Sequence, residues 1–173
     1  MTASTSVDVA YMLRTCTAEM GPTGGDADRS YRWPRPDEDL GHGTGIAACP
    51  DWDPTPRCGG GLHGLLHGEG DVSLLSLDEH AVWCVVEVTL ADVVDLGAKV
   101  KVPRGRVVFA GGRAAAGAEI SRLCPGHAPH HGIATTGDHG TATTGYRGTA
   151  TAGYRGTATT GDHGTATTGY HGT

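Results

Sequence analysis

Apolar and polar positions change rhythm several times along this chain. Residues 12–19 predict a first strand, and 71–77 hold a short apolar stretch. The run AVWCVVEVTL over 81–90 is β-branched and nearly unbroken, which predicts a buried strand. Valines cluster over Lys99–Val102 and Arg106–Ala110, predicting two strands separated by a Pro103-Arg104-Gly105 turn. Asp92–Leu96 reads as a short turn of helix. RAAAGAEISRL, over 113–123, holds helix formers and stops before Pro125, so it predicts a helix.

From Gly132 the pattern becomes periodic: GIATTGDH, GTATTGYR, GTATAGYR, GTATTGDH, GTATTGYH, then Gly172-Thr173. Thr-Ala-Thr is extended, with neighbouring side chains on opposite faces, and the Gly-flanked pair turns the chain. One octad makes one side of a coil, so two make about 16 residues per coil. On that register Ile133, Thr149 and Thr165 share a column, and Thr141 stacks on Thr157. Alanines face inward. Thr141, Thr143, Thr149, Thr151, Thr157, Thr159, Thr165 and Thr167 form an outward face. Strands about 4.8 Å apart, with alternate residues about 6.6 Å apart, make that face a regular lattice. Asp138, Tyr154 and Tyr170 fall on one edge, Tyr146 and Asp162 on the other. The tyrosines 146, 154 and 170 are the candidate assembly edges. The expected architecture is a small globular α+β N-terminal domain over 12–123, a Pro/Gly/His linker over 124–131, and a Thr-rich β-solenoid over 132–173. Residues 1–11 are expected to be a disordered leader.

Composition narrows the classes. Net charge is −6, which supplies no basic patch for nucleic acid or anionic lipid. No run reaches the roughly 18 apolar residues of a membrane-spanning helix. With no basic, apolar leader, cytoplasmic residence is the expectation. The five cysteines lack a scaffold spacing, so reduced thiols are expected. Residues 20–59 carry Pro34, Pro36, Pro50, Pro54 and Pro56 and are expected to be loop.

Candidate chemistry lies mostly in the front part. Cys49, Cys58, His63 and His67 could form a Cys₂His₂ zinc set, since His-x₃-His is ligand-like spacing. The competing reading makes them buried thiols and loop-bonded imidazoles, with no cofactor. Cys124, His127, His130 and His131 form a second, linker-borne set. His67-Gly68-Glu69-Gly70-Asp71 lacks the lysine and hydroxyl of a phosphate loop.

Two resemblances follow from these residues. Ala152-Gly153-Tyr154-Arg155-Gly156-Thr157-Ala158-Thr159 resembles the octapeptide repeat of bacterial ice nucleation proteins. That implies a β-solenoid with paired threonines that order water and a tyrosine edge used in assembly. The front part is similar to an uncharacterised domain of actinobacterial and bacteriophage proteins. It is carried by Leu13-Arg14-Thr15-Cys16, Ala48-Cys49-Pro50-Asp51-Trp52, Cys58-Gly59-Gly60-Gly61-Leu62-His63-Gly64, Gly68-Glu69-Gly70-Asp71 and Val85-Val86-Glu87-Val88, and implies no activity. Arg14, His63 and Glu87 also resemble the polar residues of small ADP-ribosyltransferase-like folds, an enzymatic alternative resting on analogy of fold. The leading expectation is a non-enzymatic protein that self-associates or binds a protein partner through its octads. Ice or ordered-water binding is the alternative.

Overall fold

The computed structural model describes residues 8–23 and 30–173. Seven strands form one sheet: β1 (Val9–Cys16), β2 (Ile46–Ala48), β3 (Leu62–Leu66), β4 (Val82–Thr89), β5 (Val94–Asp95), β6 (Val100–Val102) and β7 (Arg104–Gly111). Their order is β2-β7-β4-β1-β3-β6-β5, and every neighbouring pair is antiparallel. The sheet is buried on both sides, which is why β4 reads as a continuous apolar run. Met12, Cys16, Cys84, Val86 and Val88 face a core closed by Met20 and Trp33. Leu13, Leu65, Trp83 and Val85 face the other way, onto Ala116 and Ile120 of α1 (Arg113–Leu123).

The octads follow as β8 (Ile133–Thr135), β9 (Thr141–Thr143), β10 (Thr149–Ala152), β11 (Thr157–Thr159) and β12 (Thr165–Thr168). They form a three-stranded parallel sheet, β12-β10-β8, and a two-stranded parallel sheet, β11-β9. The expected class, an α+β domain followed by a β-solenoid of about 16 residues per coil, is therefore corrected. The chain is mostly β with one α-helix, assembled from one antiparallel and two small parallel sheets.

Several local expectations are corrected as well. The helical turn over 92–96 is a 3-10 turn at Leu90–Asp92 followed by β5. Pro103-Arg104-Gly105 is no hairpin turn: β6 and β7 do not pair, and β7 already starts at Arg104. The short β2 lies within residues 20–59, where loop was expected, and β3 falls in a stretch for which no element was expected. Of the leader over 1–11, residues 1–7 lie outside the described residues, while Val9–Tyr11 belong to β1.

The octads dock on the front sheet through α1 and the linker. Ser121 Oγ accepts from the Ile133 amide at 2.9 Å. The His131 ring meets Trp83 edge-on at 5.1 Å. A Cβ on Gly117 would collide with the His131 carbonyl, so glycine is required where helix and linker touch. Pro129-His130-His131-Gly132 has the geometry of an octad turn: the Gly132 amide donates to Pro129 O, and His131 has φ 55°. The last part of the linker is thus structurally the first turn of the repeat.

Candidate functional site

Strand pairing sets the geometry of the octad surfaces. Ile133, Thr149 and Thr165 are in register across the three-stranded sheet, as are Thr135, Thr151 and Thr167. Thr141 pairs with Thr157 and Thr143 with Thr159 on the two-stranded sheet. Paired residues are 16 apart in sequence, two octads, so identical side chains stack except at Ile133 on Thr149 and Ala152 on Thr168. Of the eight threonines Thr141, Thr143, Thr149, Thr151, Thr157, Thr159, Thr165 and Thr167, all are exposed except the half-buried Thr151. Each presents a hydroxyl and a methyl group to solvent, about 4.8 Å from its stacked neighbour.

The alternate positions point between the sheets. Ala142, Ala150 and Ala152 are fully buried, and Thr144 is buried beside them. Small side chains at these positions let the two sheets lie close together. Gly153 and Gly169 sit over the backbone of the turn one step below, and a Cβ on either would lie 2.9 Å from a stacked backbone carbon. His139, Arg147, Arg155, His163 and His171 all have φ between 52° and 60°, the left-handed region that non-glycine residues rarely occupy. Each places its side chain over an aromatic or stacked turn: Arg147 lies over Tyr146 and Arg155 over Tyr154, both at 5.3 Å.

The tyrosines divide between the edges. Tyr154 and Tyr170 stack at 6.4 Å with 19° between ring planes, and Tyr170 is 76% exposed. Tyr146 lies on the opposite edge, against His130, His131 and His163.

The front sheet does not gather the enzymatic candidates. Arg14 shares a face with Cys84, its partner on β4, while Glu87 pairs with Tyr11 on the opposite face. The Glu87 carboxylate accepts from the Tyr11 hydroxyl at 3.4 Å. Arg14 lies 3.9 Å over Trp33 and donates to the His63 backbone carbonyl at 3.2 Å. Burial, then the cations of Lys99 and Arg14, push the His63 imidazole down to about 4. Two of the three are neighbours through the backbone, and the third is across the sheet.

Nor do Cys49, Cys58, His63 and His67 meet as one ligand set. Cys49 Sγ donates to Asp51, and Lys99 Nζ lies 3.3 Å from Cys58 Sγ. Burial raises the Cys49 thiol to about 11. Sequence reasoning passed over Lys101, which is wholly buried and donates to the carbonyls of Arg57 and Gly59. It ties down the glycine-rich loop, a role that its position within the valine-rich strand did not signal.

Among the described residues, the group close enough to share a metal is His67, Glu69 and His127. Burial, then His127, pushes the His67 imidazole below its ordinary value. Burial acts to raise the Glu69 carboxyl, but the Ala128 amide and His127 outweigh it and hold the pKa low.

The chain carries ice nucleation-like repeats. It is 40% identical to an ice nucleation protein of Pseudomonas fluorescens over 79 residues, 44% of this chain and 6% of that protein. It is 36% identical to one from Pseudomonas syringae over 118 residues, 67% of this chain and 9% of the relative. Ice nucleation protein InaU of Pantoea ananas is 32% identical over 111 residues, 63% of this chain and 10% of its own length. The chain thus spans a tenth or less of the relatives it matches. The Pseudomonas syringae match is longer than the whole octad tract, so the similarity reaches into the residues before Gly132. No family model matches the chain, no solved structure matches it significantly, and the likeness of the front part to an uncharacterised domain gains no support. The expectation of cytoplasmic residence is corrected, because similarity to ice nucleation proteins conflicts with it. It had rested on the absence of a basic, apolar leader and of an apolar span. No helix among the described residues is long and apolar enough to cross a membrane, and that does not assign a compartment.

Proposed function

We propose that the octad segment binds ice, or water ordered as ice orders it, through its stacked threonine rows. The observation that carries this reading is the in-register, exposed Thr-x-Thr lattice on two parallel sheets. Hydroxyls fixed on a β lattice hold first-layer waters at set spacings, and the intervening methyl groups restrict those waters further. No proton or bond is moved, so the surface acts as a template.

Size decides what one chain can do. Three strands span roughly 10 Å, and alternate threonines span roughly 7 Å along each strand. Such a patch adsorbs to ice but is small as a freezing template. Association of copies enlarges it. The Tyr154–Tyr170 stack supports that step, since its rings lie parallel on one edge with Tyr170 open to solvent. The front sheet, clamped through α1 and the linker, holds the octads in one orientation.

Droplet freezing and thermal hysteresis test the reading on the full chain. The Thr143→Lys, Thr159→Lys double variant places two long charged side chains on the two-stranded face and should reduce both signals. Unchanged freezing and unchanged hysteresis would exclude that face.

A further inference from the structure

We infer that His67, Glu69 and His127 form a binding site for a divalent transition-metal ion of the zinc class, independent of the threonine rows. The three residues come from two segments that are held together without any ion. His67 and Glu69 lie in the turn that leaves β3, and His127 lies in the linker after α1. The His130 amide donates to Gly68 O at 2.9 Å, and the Ala128 amide donates to Glu69 Oε1 at 2.6 Å. Pro129 packs so closely on Gly68 that a Cβ there would lie 2.7 Å from it. The donor atoms are thereby brought within 4.8 Å of one another, and each side chain is half-buried.

The donor chemistry suits a borderline cation. Two imidazoles and one carboxylate are a known zinc-type set, with an open fourth position for water or a ligand. Carboxylate-rich sets favour calcium or magnesium, and imidazoles turn the preference toward zinc, copper or nickel. Glu69 Oε2 lies 3.3 Å from His127 Nδ1, so carboxylate and imidazole already face each other. The His67 and His127 rings are stacked at 3.7 Å with 27° between their planes. Stacked rings send their lone pairs in parallel directions. Binding therefore turns one ring out of the stack, bringing the donors to the roughly 3.3 Å spacing that bonds of about 2.0–2.2 Å require around a tetrahedral ion.

Access is open. A cleft of about 260 Å³ adjoins His67 and Glu69, with Asp95 and Lys99 at its margin. An ion entering there ties the β3 turn to the linker that carries the octads. Its effect is structural: it fixes the start of the repeat segment on the front sheet.

Titration of tag-free full-length protein with cobalt(II), followed by displacement with zinc(II), tests the inference. One equivalent should bind with the visible spectrum of tetrahedral nitrogen and oxygen ligation, without a thiolate charge-transfer band. Affinity should fall at least about tenfold in Glu69→Gln and in His127→Gln, and persist in His80→Gln. Lack of saturable binding overturns the site. So does a thiolate band, which would place the ion on cysteine, or affinity unchanged in both ligand variants. The wild-type spectrum decides the matter even where a variant fails to fold.

Discussion

Replacing Ala150 with leucine probes the narrow interior between the two octad sheets. Ala150 is wholly buried on the central strand β10, flanked in register by Ala134 and Ala166, with the buried Ala142 on the facing sheet. Three added carbons meet only alanine, threonine and backbone, none of which has length to yield. Overpacking costs about 1–3 kcal/mol, and the upper end applies where no flexible neighbour can move. For a chain of this size each kcal/mol shifts Tm by about 2–4 °C, so Ala150→Leu should lower it by roughly 6–12 °C. Ala166 occupies the same column on β12 but is exposed. Ala166→Leu should stay within about 0.5 kcal/mol of the parent. Thermal unfolding of the three proteins followed by circular dichroism makes the comparison. Equal Tm values for the two variants would refute the burial of the alanines.

Gly117→Ala should destabilise the chain, although alanine in a helix interior normally gains roughly 1 kcal/mol over glycine. The added Cβ runs into the His131 carbonyl where α1 meets the linker, and a rise in Tm would contradict that contact. Acid should weaken the same junction. Burial first, then Arg113 and Arg147, push the His131 imidazole from 6.5 down to about 4. A group whose pKa is lowered by folding contributes stability that is full above its unfolded value, here 6.5, and lost as pH falls through about 4. Lowering from 6.5 to about 4 is worth about 3 kcal/mol at full value, and solvent screening cuts it to the order of 2 kcal/mol, which urea melts across that range should show. His131→Asn tolerates the left-handed backbone and removes the titration, so its acid loss should be smaller by that amount. An equal loss in both proteins would show that His131 is not the group responsible.

The parts visible in the sequence are those set by local chemistry. The helix Arg113–Leu123 is bounded by Gly112 before it and Pro125 after it, and β4 declares itself by its valines. The exposed threonines follow from strand alternation within each octad. Parts set by distant partners were not visible. β3, LHGLL, is short and interrupted by glycine, and it is a strand because β1 and β6 pair with it on either side. Gly64 is there for the close approach of Met12, which no local pattern signals. Val94-Asp95 is extended because β6 is beside it, against a helix-turn reading of Asp92–Leu96. The His67, Glu69 and His127 group joins residues some 60 positions apart, so spacing alone pointed to other pairings. Face assignment across β1 and β4 likewise required the register, which separates Glu87 from Arg14.

Adsorption to a slowly growing ice front tests the role of the threonine rows most directly. Full-length protein should be enriched in the ice fraction, and Thr149→Lys, Thr165→Lys should lower that enrichment while its Tm stays within about 2 °C. Equal partitioning of both proteins would contradict the account.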